Sequence, residues 1–123
     1  MKPGNKVSDS LRKSYAILGF AQKAGKISSG ALAAKSSILR RRAFLLIVSN
    51  DIAENAKQGL ISSCQKQKIP WVVMGNKYEI GACIGKAYRV AVTINDPGMA
   101  ESLIKSLEGV GVKVNTGVVE WQK

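Results

Sequence analysis

Asp51 and Glu54 stand three residues apart after an apolar run, the one close acidic pair that follows a strand-like segment. Two carboxylates placed there could work as acid and base. The same spacing is that of a helix capping box, in which the first side chain accepts from the backbone three residues on. Capping accounts for the pair without a substrate, and we favour it. The thiols Cys64 and Cys83 lack CxxC spacing, and the chain has no histidine. The commonest general base and the commonest nitrogen ligand for metals are therefore missing. Both cysteines fall on apolar stripes, so buried free thiols are the preferred reading over a disulfide. The serines have no imidazole to activate them. Gly19 and Gly25-Lys26 resemble a phosphate-binding loop only loosely, because the glycine spacing is one residue too long and Ile27 stands where a magnesium-binding hydroxyl is required. Gly81 and Gly85 have no third glycine for a dinucleotide fingerprint. No catalytic residue, metal or cofactor is expected, and the chain reads as a non-enzyme.

The cations carry more information. Nineteen Lys and Arg against eight Asp and Glu give 123 residues a net charge of +11. Residues 1–42 hold ten of the bases and one acid, Asp9, so the first third carries +9 and the remainder +2. Charge of one sign on a small domain repels itself. A polyanion offsets that cost, and counterion release drives its binding. The plainer alternative is a basic surface that serves only solubility. No apolar run approaches the length of a membrane span, and Met1 to Lys6 is not followed by an apolar signal region. A cytoplasmic protein that does not enter membranes is expected, monomeric by default.

The elements that must position these charges follow from periodicity. Leu11, Tyr15, Leu18 and Ala21 line one face of a first helix, which Gly25 ends. Ile27 to Ser29 forms a very short strand, and Gly30 to Arg41 a second helix. Phe44 to Val48 reads as a strand buried on both faces. A helix capped by Asp51 runs to Gln67 with the stripe Ala53, Ala56, Leu60 and Cys64, and Pro70 closes it. Trp71 to Met74 is a second buried strand. Asn76 with Glu79 repeats the capping pattern for a short helix bearing Ile80, Cys83 and Ile84. Gly85 to Arg89 is a loop and Val90 to Ile94 a third buried strand. Asp96-Pro97 opens a last helix lined by Met99, Leu103, Ile104 and Leu107. This alternation predicts an α/β fold: a single-domain, three-layer α/β/α sandwich with a mixed four-stranded sheet. We divide the chain into a basic segment, 1–10, a domain, 11–108, and a valine-rich extension, 109–123. Within the extension, Gly109–Val114 and Val118–Trp121 resemble two strands around a turn, with a frayed tail as the equal alternative.

The order of segments resembles that of the kink-turn-binding ribosomal protein superfamily, whose members include archaeal ribosomal protein L-seven-Ae, the eukaryotic large-subunit protein thirty and small bacterial members. The resemblance rests on Ala24-Gly25-Lys26-Ile27-Ser28-Ser29-Gly30, on Ala43 and the strand after it, and on Ile69-Pro70-Trp71-Val72. Its most specific part is Glu79-Ile80-Gly81 followed by Gly85-Lys86-Ala87-Tyr88-Arg89-Val90; Asp96-Pro97-Gly98 adds to it. It spans about Leu11 to Leu107. It implies an α/β/α sandwich that binds kinked internal loops of RNA through the start of the second helix and the loop before the last strand. Carried over, these are Ser29, Gly30, Ala31, Leu32 and Lys35, with Gly85, Lys86, Ala87, Tyr88 and Arg89. A helix amino terminus offers N–H groups and a positive dipole end to phosphates. Tyr88 is the candidate platform for an extruded base and Arg89 a phosphate contact, with a half-buried Tyr88 at the strand start as the alternative. Lys26, Lys35, Arg40, Arg41 and Arg42 would supply the surrounding field; for the three arginines the alternative is a solvated helix end. Where archaeal members carry an Asn–Glu pair and a lysine that read the kink, this chain has Leu32, Ala33 and Ser36. The implied function is a ribosomal or ribosome-associated protein that binds structured RNA of the large subunit, with neighbouring ribosomal proteins as further partners. Two other readings are a non-ribosomal kink-turn ribonucleoprotein component and a protein-interaction module that kept the fold.

Overall fold

The computed structural model describes residues 10–115. The elements run in the order α1 (Arg12–Lys23), β1 (Ile27–Ser29), α2 (Ala31–Leu39), β2 (Leu45–Val48), α3 (Glu54–Gln67), β3 (Trp71–Val73), α4 (Lys77–Cys83), β4 (Ala91–Ile94) and α5 (Pro97–Gly109). The four strands form one sheet in the order β1-β4-β2-β3. β4 is antiparallel to both β1 and β2, while β2 and β3 are parallel. The mixed sheet expected from the sequence is thus present.

Alternation within the strands builds two cores. Leu45 and Ile47 face one layer with Val92 and Ile94, where Leu18 of α1, Ile80 of α4 and Leu103 and Leu107 of α5 cover them. Leu46 and Val48 face the other, under Ala34 and Ile38 of α2 and Leu60 and Cys64 of α3. Helices therefore cover both faces, giving the three-layer sandwich. Full burial of each such Leu or Ile contributes about 1.5–3 kcal/mol. β2 and β4 are buried along their whole length, as a strand covered on both faces must be.

Four local expectations are corrected. Asp51 does not cap α3. The chain takes two further residues, Ala53 becomes the extended N-cap residue, and no side chain caps the helix. The Asp51 carboxylate instead accepts from the Lys77 N–H at 3.1 Å, at the start of α4. Phe44 lies outside β2 and is 43% exposed. β3 is an edge strand, so only Val72 is fully buried and Trp71 and Val73 are half-covered. The valine-rich segment forms no strand over Gly109–Val114: Gly109 ends α5, Val112 and Val114 pack on the core, and Asn115 makes an isolated antiparallel bridge to Trp71. Residues 118–121 lie outside the described residues. Two caps are as expected. Asn76 accepts from Tyr78 and Glu79 while Glu79 accepts from Asn76, and Asp96 accepts from Met99 with Pro97 at the first helical position.

Candidate nucleic-acid interface

The sheet brings the second-helix start and the pre-β4 loop together at one end of the sandwich. The Gly30 N–H donates to the Ala91 carbonyl at 2.8 Å, and the Arg89 side chain donates from Nε to Ser29 Oγ at 3.3 Å and from one terminal nitrogen to the Tyr88 carbonyl at 2.6 Å. Ser29, Gly30, Ala31, Tyr88, Arg89 and Val90 line a shallow depression of about 300 Å³. Arg89 is half-buried and acts here as the strap between the two elements. Gly30 has φ +100, and a side chain there would meet nothing within 4 Å; the glycine serves the backbone turn, not a tight contact.

Two helices begin at this end without a capping side chain. α2 follows Gly30 and α3 follows Ala53, and neither N-cap residue supplies a side-chain acceptor. The first N–H groups of a helix have no intrahelical partner. Both starts therefore present free donors and the positive ends of two dipoles. An apolar depression of about 330 Å³ lies between them, lined by Ala31, Leu32, Lys35, Asn55, Ala56 and Leu60 among others. Leu32 is 86% exposed on its rim. By contrast α4 and α5, which start with Asn76 and Asp96, satisfy their first turns internally. Ala33 and Ser36 are exposed on α2, as is Lys35.

The loop itself is seated on α4. Gly85, with φ +75, ends that helix, and the Lys86 N–H reaches back to the Gly81 carbonyl at 2.8 Å. A Cβ on Gly81 would stand 2.6 Å from Tyr88 Cα, so only glycine lets the loop lie this close. Lys86, Ala87 and Tyr88 are all exposed. The Tyr88 ring, 53% exposed, meets the edge of Tyr78 at 6.3 Å between centroids. Lys77 Nζ sits 5.3 Å from the Tyr78 ring and 5.5 Å from the Tyr88 ring. Tyr88 therefore stands in the loop three residues ahead of β4, with about half of its surface open. Lys77 and Tyr78 were missed by the sequence reading. A signal existed: Tyr78 is off the Ile80–Ile84 stripe, which leaves an aromatic side chain in a helix's first turn with nothing to bury it. α1 braces α4 from behind, where the Tyr15 hydroxyl donates to Glu79 Oε1 at 3.0 Å. Burial, then the Glu79 carboxylate, raises the Tyr15 hydroxyl well above the usual phenol range.

The predicted field does not assemble around this end. The Lys26 carbonyl accepts from the Asn95 N–H, and the Phe44 N–H donates to the Ile94 carbonyl, which puts residues 26 and 40–44 beyond the far end of β4. Nine residues of α2 separate Arg40 from Gly30, about 13 Å along the axis. Lys26, Arg40, Arg41 and Arg42 thus stand at the opposite end of the sandwich. Among the described residues, no group of three His, Cys, Asp or Glu could hold a metal ion. Burial pushes the Cys64 thiol up to about 12, and burial with the nearby Glu79 pushes the Cys83 thiol up to about 11. Neither is poised as a nucleophile.

Comparison with known proteins agrees with this fold. The model of the ribosomal protein L7Ae/L30e/S12e/Gadd45 family matches residues 12–104. The RNA-binding protein YlxQ of Bacillus subtilis is 31% identical over 94 residues, covering 76% of this chain and 94% of its own length. Large ribosomal subunit protein eL8 of Thermoplasma volcanium is 30% identical over 100 residues, covering 80% and 83%. Among solved structures, a protein of unknown function from Bacillus halodurans superposes with TM-score 0.76 at 28% identity, over 78% of this chain and 97% of that one. The Giardia lamblia 15.5kD RNA binding protein shares the fold, with TM-score 0.68 at 19% identity over 89% and 99%.

Proposed function

The chain belongs to the ribosomal protein L7Ae/L30e/S12e/Gadd45 family, and on that premise we propose that it is a ribosome-associated RNA-binding protein whose ligand is a kinked or bulged element of large-subunit ribosomal RNA. The observation that carries this reading is the pairing of two uncapped helix starts with an exposed tyrosine pair at one end of the sandwich. Free N–H groups at helix starts suit phosphates. Exposed aromatic faces suit unstacked bases, which kinked RNA offers and a straight A-form helix withholds. The two requirements meet within one surface here.

Each residue then has a role. The N–H groups of Ala31, Leu32 and Ala33 take a phosphate at the turn of the RNA backbone. Tyr88, backed by Tyr78, stacks a base turned out of the helix, and Lys77 adds a cation beside both rings. Lys35 and Lys86 flank the surface, while Arg89 holds the loop against β1. Leu32 and Ala33 offer no side-chain hydrogen bond to a base edge. Recognition therefore runs through shape, phosphate contacts and stacking more than through base-edge readout. Neighbouring ribosomal proteins are further candidate partners once the chain is seated on the RNA. The same reading assigns it no catalysis.

The test is a titration of an RNA hairpin bearing an asymmetric internal loop. Tyr88→Ala removes one base stack, a contact of about 1–3 kcal/mol, so affinity falls roughly 5- to 150-fold while the thermal midpoint stays put. A Tyr88→Ala chain that melts early yet binds the hairpin normally would make Tyr88 a structural residue and sink the assignment.

A further inference from the structure

The opposite end of the sandwich carries the denser positive charge, and its backbone is built in an unexpected way. Four connections meet there, residues 24–26, 40–44, 68–70 and 95–96, and they hold Lys26, Arg40, Arg41, Arg42 and Lys68 against one acid, Asp96. That acid is committed to the Met99 N–H. All five bases are exposed, and none is ion-paired to a carboxylate among the described residues. The other end dilutes its cations with Asp51, Glu54 and Glu79.

Every helix of the described residues closes with the same pair of backbone bonds, one reaching back five residues and one three. This closure needs one residue in the left-handed region, where glycine is the least strained choice. α1, α4 and α5 use Gly25, Gly85 and Gly111. α2 and α3 instead use Arg41 and Lys68, both at φ 60, and these are the only non-glycine residues with positive φ among the described residues. The two line one depression of about 240 Å³ together with Phe44, which is 43% exposed. A helix carboxyl terminus attracts cations, and α2, with no base in its last turn, has only Arg40 to Arg42 to answer it, whereas α3 already carries Lys66 there and still places Lys68 at the left-handed position. Strained backbone held at two adjacent positions by cations, where glycine would fold at least as well, points to a ligand.

We propose that this end is a second RNA-binding surface, which grips the phosphate backbone of an RNA duplex through Arg41, Lys68, Arg40 and Arg42 while Phe44 lies against the sugar edge. The occupant follows from charge: a row of cations with no ion pair among the described residues, and with Asp96 turned to the Met99 N–H, matches closely spaced phosphates and asks for no base sequence. For its class of ligand the proposal rests on the RNA-binding reading above, but it uses a separate face about one helix length away. One chain would then bridge two RNA segments, an internal loop at one end and a duplex at the other.

The probe is a 20-base-pair RNA duplex with no internal loop, titrated at several salt concentrations. Arg41→Gly with Lys68→Gly keeps the left-handed turns, so the thermal midpoint holds or rises. Removal of two phosphate contacts lowers duplex affinity about tenfold at low salt and reduces the salt slope by about two. The charge-keeping pair Arg41→Lys with Lys68→Arg binds as the parent does. Equal duplex affinity and slope in the parent and the glycine variant would overturn the proposal. So would a glycine variant that keeps the duplex but loses a polyglutamate peptide, since the surface would then serve an acidic protein. A parent chain that binds the internal-loop hairpin but no duplex removes this surface and leaves the proposed function standing. Duplex binding through Arg41 and Lys68, with the internal-loop hairpin held no more tightly than the duplex and unaffected by Tyr88→Ala, sustains the surface and removes the proposed function.

Discussion

Gly81→Ala separates the seat of the loop from the stability of the fold. A Cβ at residue 81 would lie 2.6 Å from Tyr88 Cα, 2.8 Å from Tyr88 N and 2.9 Å from the Lys86 carbonyl oxygen. Carbon contacts relax only near 3.5–4.0 Å, so the loop must retreat by roughly 1 Å. All three neighbours are backbone, and no side chain can rotate away to make room. Overpacking of this kind costs about 1–3 kcal/mol. Alanine in a helix interior returns about 1 kcal/mol relative to glycine. The net loss of stability is then about 0–2 kcal/mol, small enough for the protein to remain folded at room temperature. The displaced loop carries Tyr88 off the Tyr78 edge and out of line with the α2 start. Affinity for an internal-loop hairpin is therefore expected to fall at least tenfold. Calorimetry gives the stability and a fluorescence titration the affinity. Unchanged hairpin binding in a folded Gly81→Ala protein would refute the argument that loop placement sets the site.

The remaining predictions are simpler. Gly59 lies inside α3, where an added Cβ meets nothing nearer than Lys35 Nζ at 4.0 Å, so Gly59→Ala stabilises by about 0.5–1 kcal/mol, read as a higher melting temperature; a drop would show that the added methyl crowds α2. Asp96→Ala removes the cap of α5 and costs about 1 kcal/mol, whereas Asp51→Ala, which removes no cap from α3 and loses only an exposed hydrogen bond to the Lys77 N–H, lowers the melting temperature less; equal losses would restore Asp51 as a cap. The raised Cys83 and Cys64 thiols mean that the folded state favours the protonated form, so their contribution is complete below the ordinary thiol range near 9 and is lost as pH climbs through about 11 and then about 12. Thiolate absorbance should appear only above pH 10 in the folded protein, and a thiol that reacts fully with a disulfide reagent at pH 7.5 would contradict the burial.

Periodicity was enough to read the layers. Leu45 to Val48 is apolar without interruption, and Ala91 to Ile94 is broken only by the buried Thr93, because helices cover both faces, and that signal is local. The Asn76–Glu79 and Asp96–Pro97 starts were legible for the same reason, since a cap acts within three residues. The same pattern misled at Asp51, where the chain stays extended for two more residues and the carboxylate turns to α4 instead. Trp71 to Val73 looked doubly buried because composition does not say which strand falls at a sheet edge. Charge clustering along the sequence suggested one field around one site. Arg40 to Arg42 follow Gly30 closely in the chain, yet a helix between them carries the cations to the other end. Direction along an element is tertiary information, and counting charges cannot supply it. The pairing of Tyr78 with Tyr88 was hidden for a related reason: the two residues meet only because Gly81 lets the loop fold back on α4.

The most direct test of RNA binding through the Gly30–Tyr88 end is crosslinking in the cells that make the protein, with both the bound RNA and the crosslinked peptides sequenced. Reads concentrated at one structured site in large-subunit ribosomal RNA are expected, with crosslinks on the peptides that carry Tyr78 and Tyr88. Reads scattered over many RNAs, or crosslinks that avoid both tyrosines, would contradict RNA binding through that end.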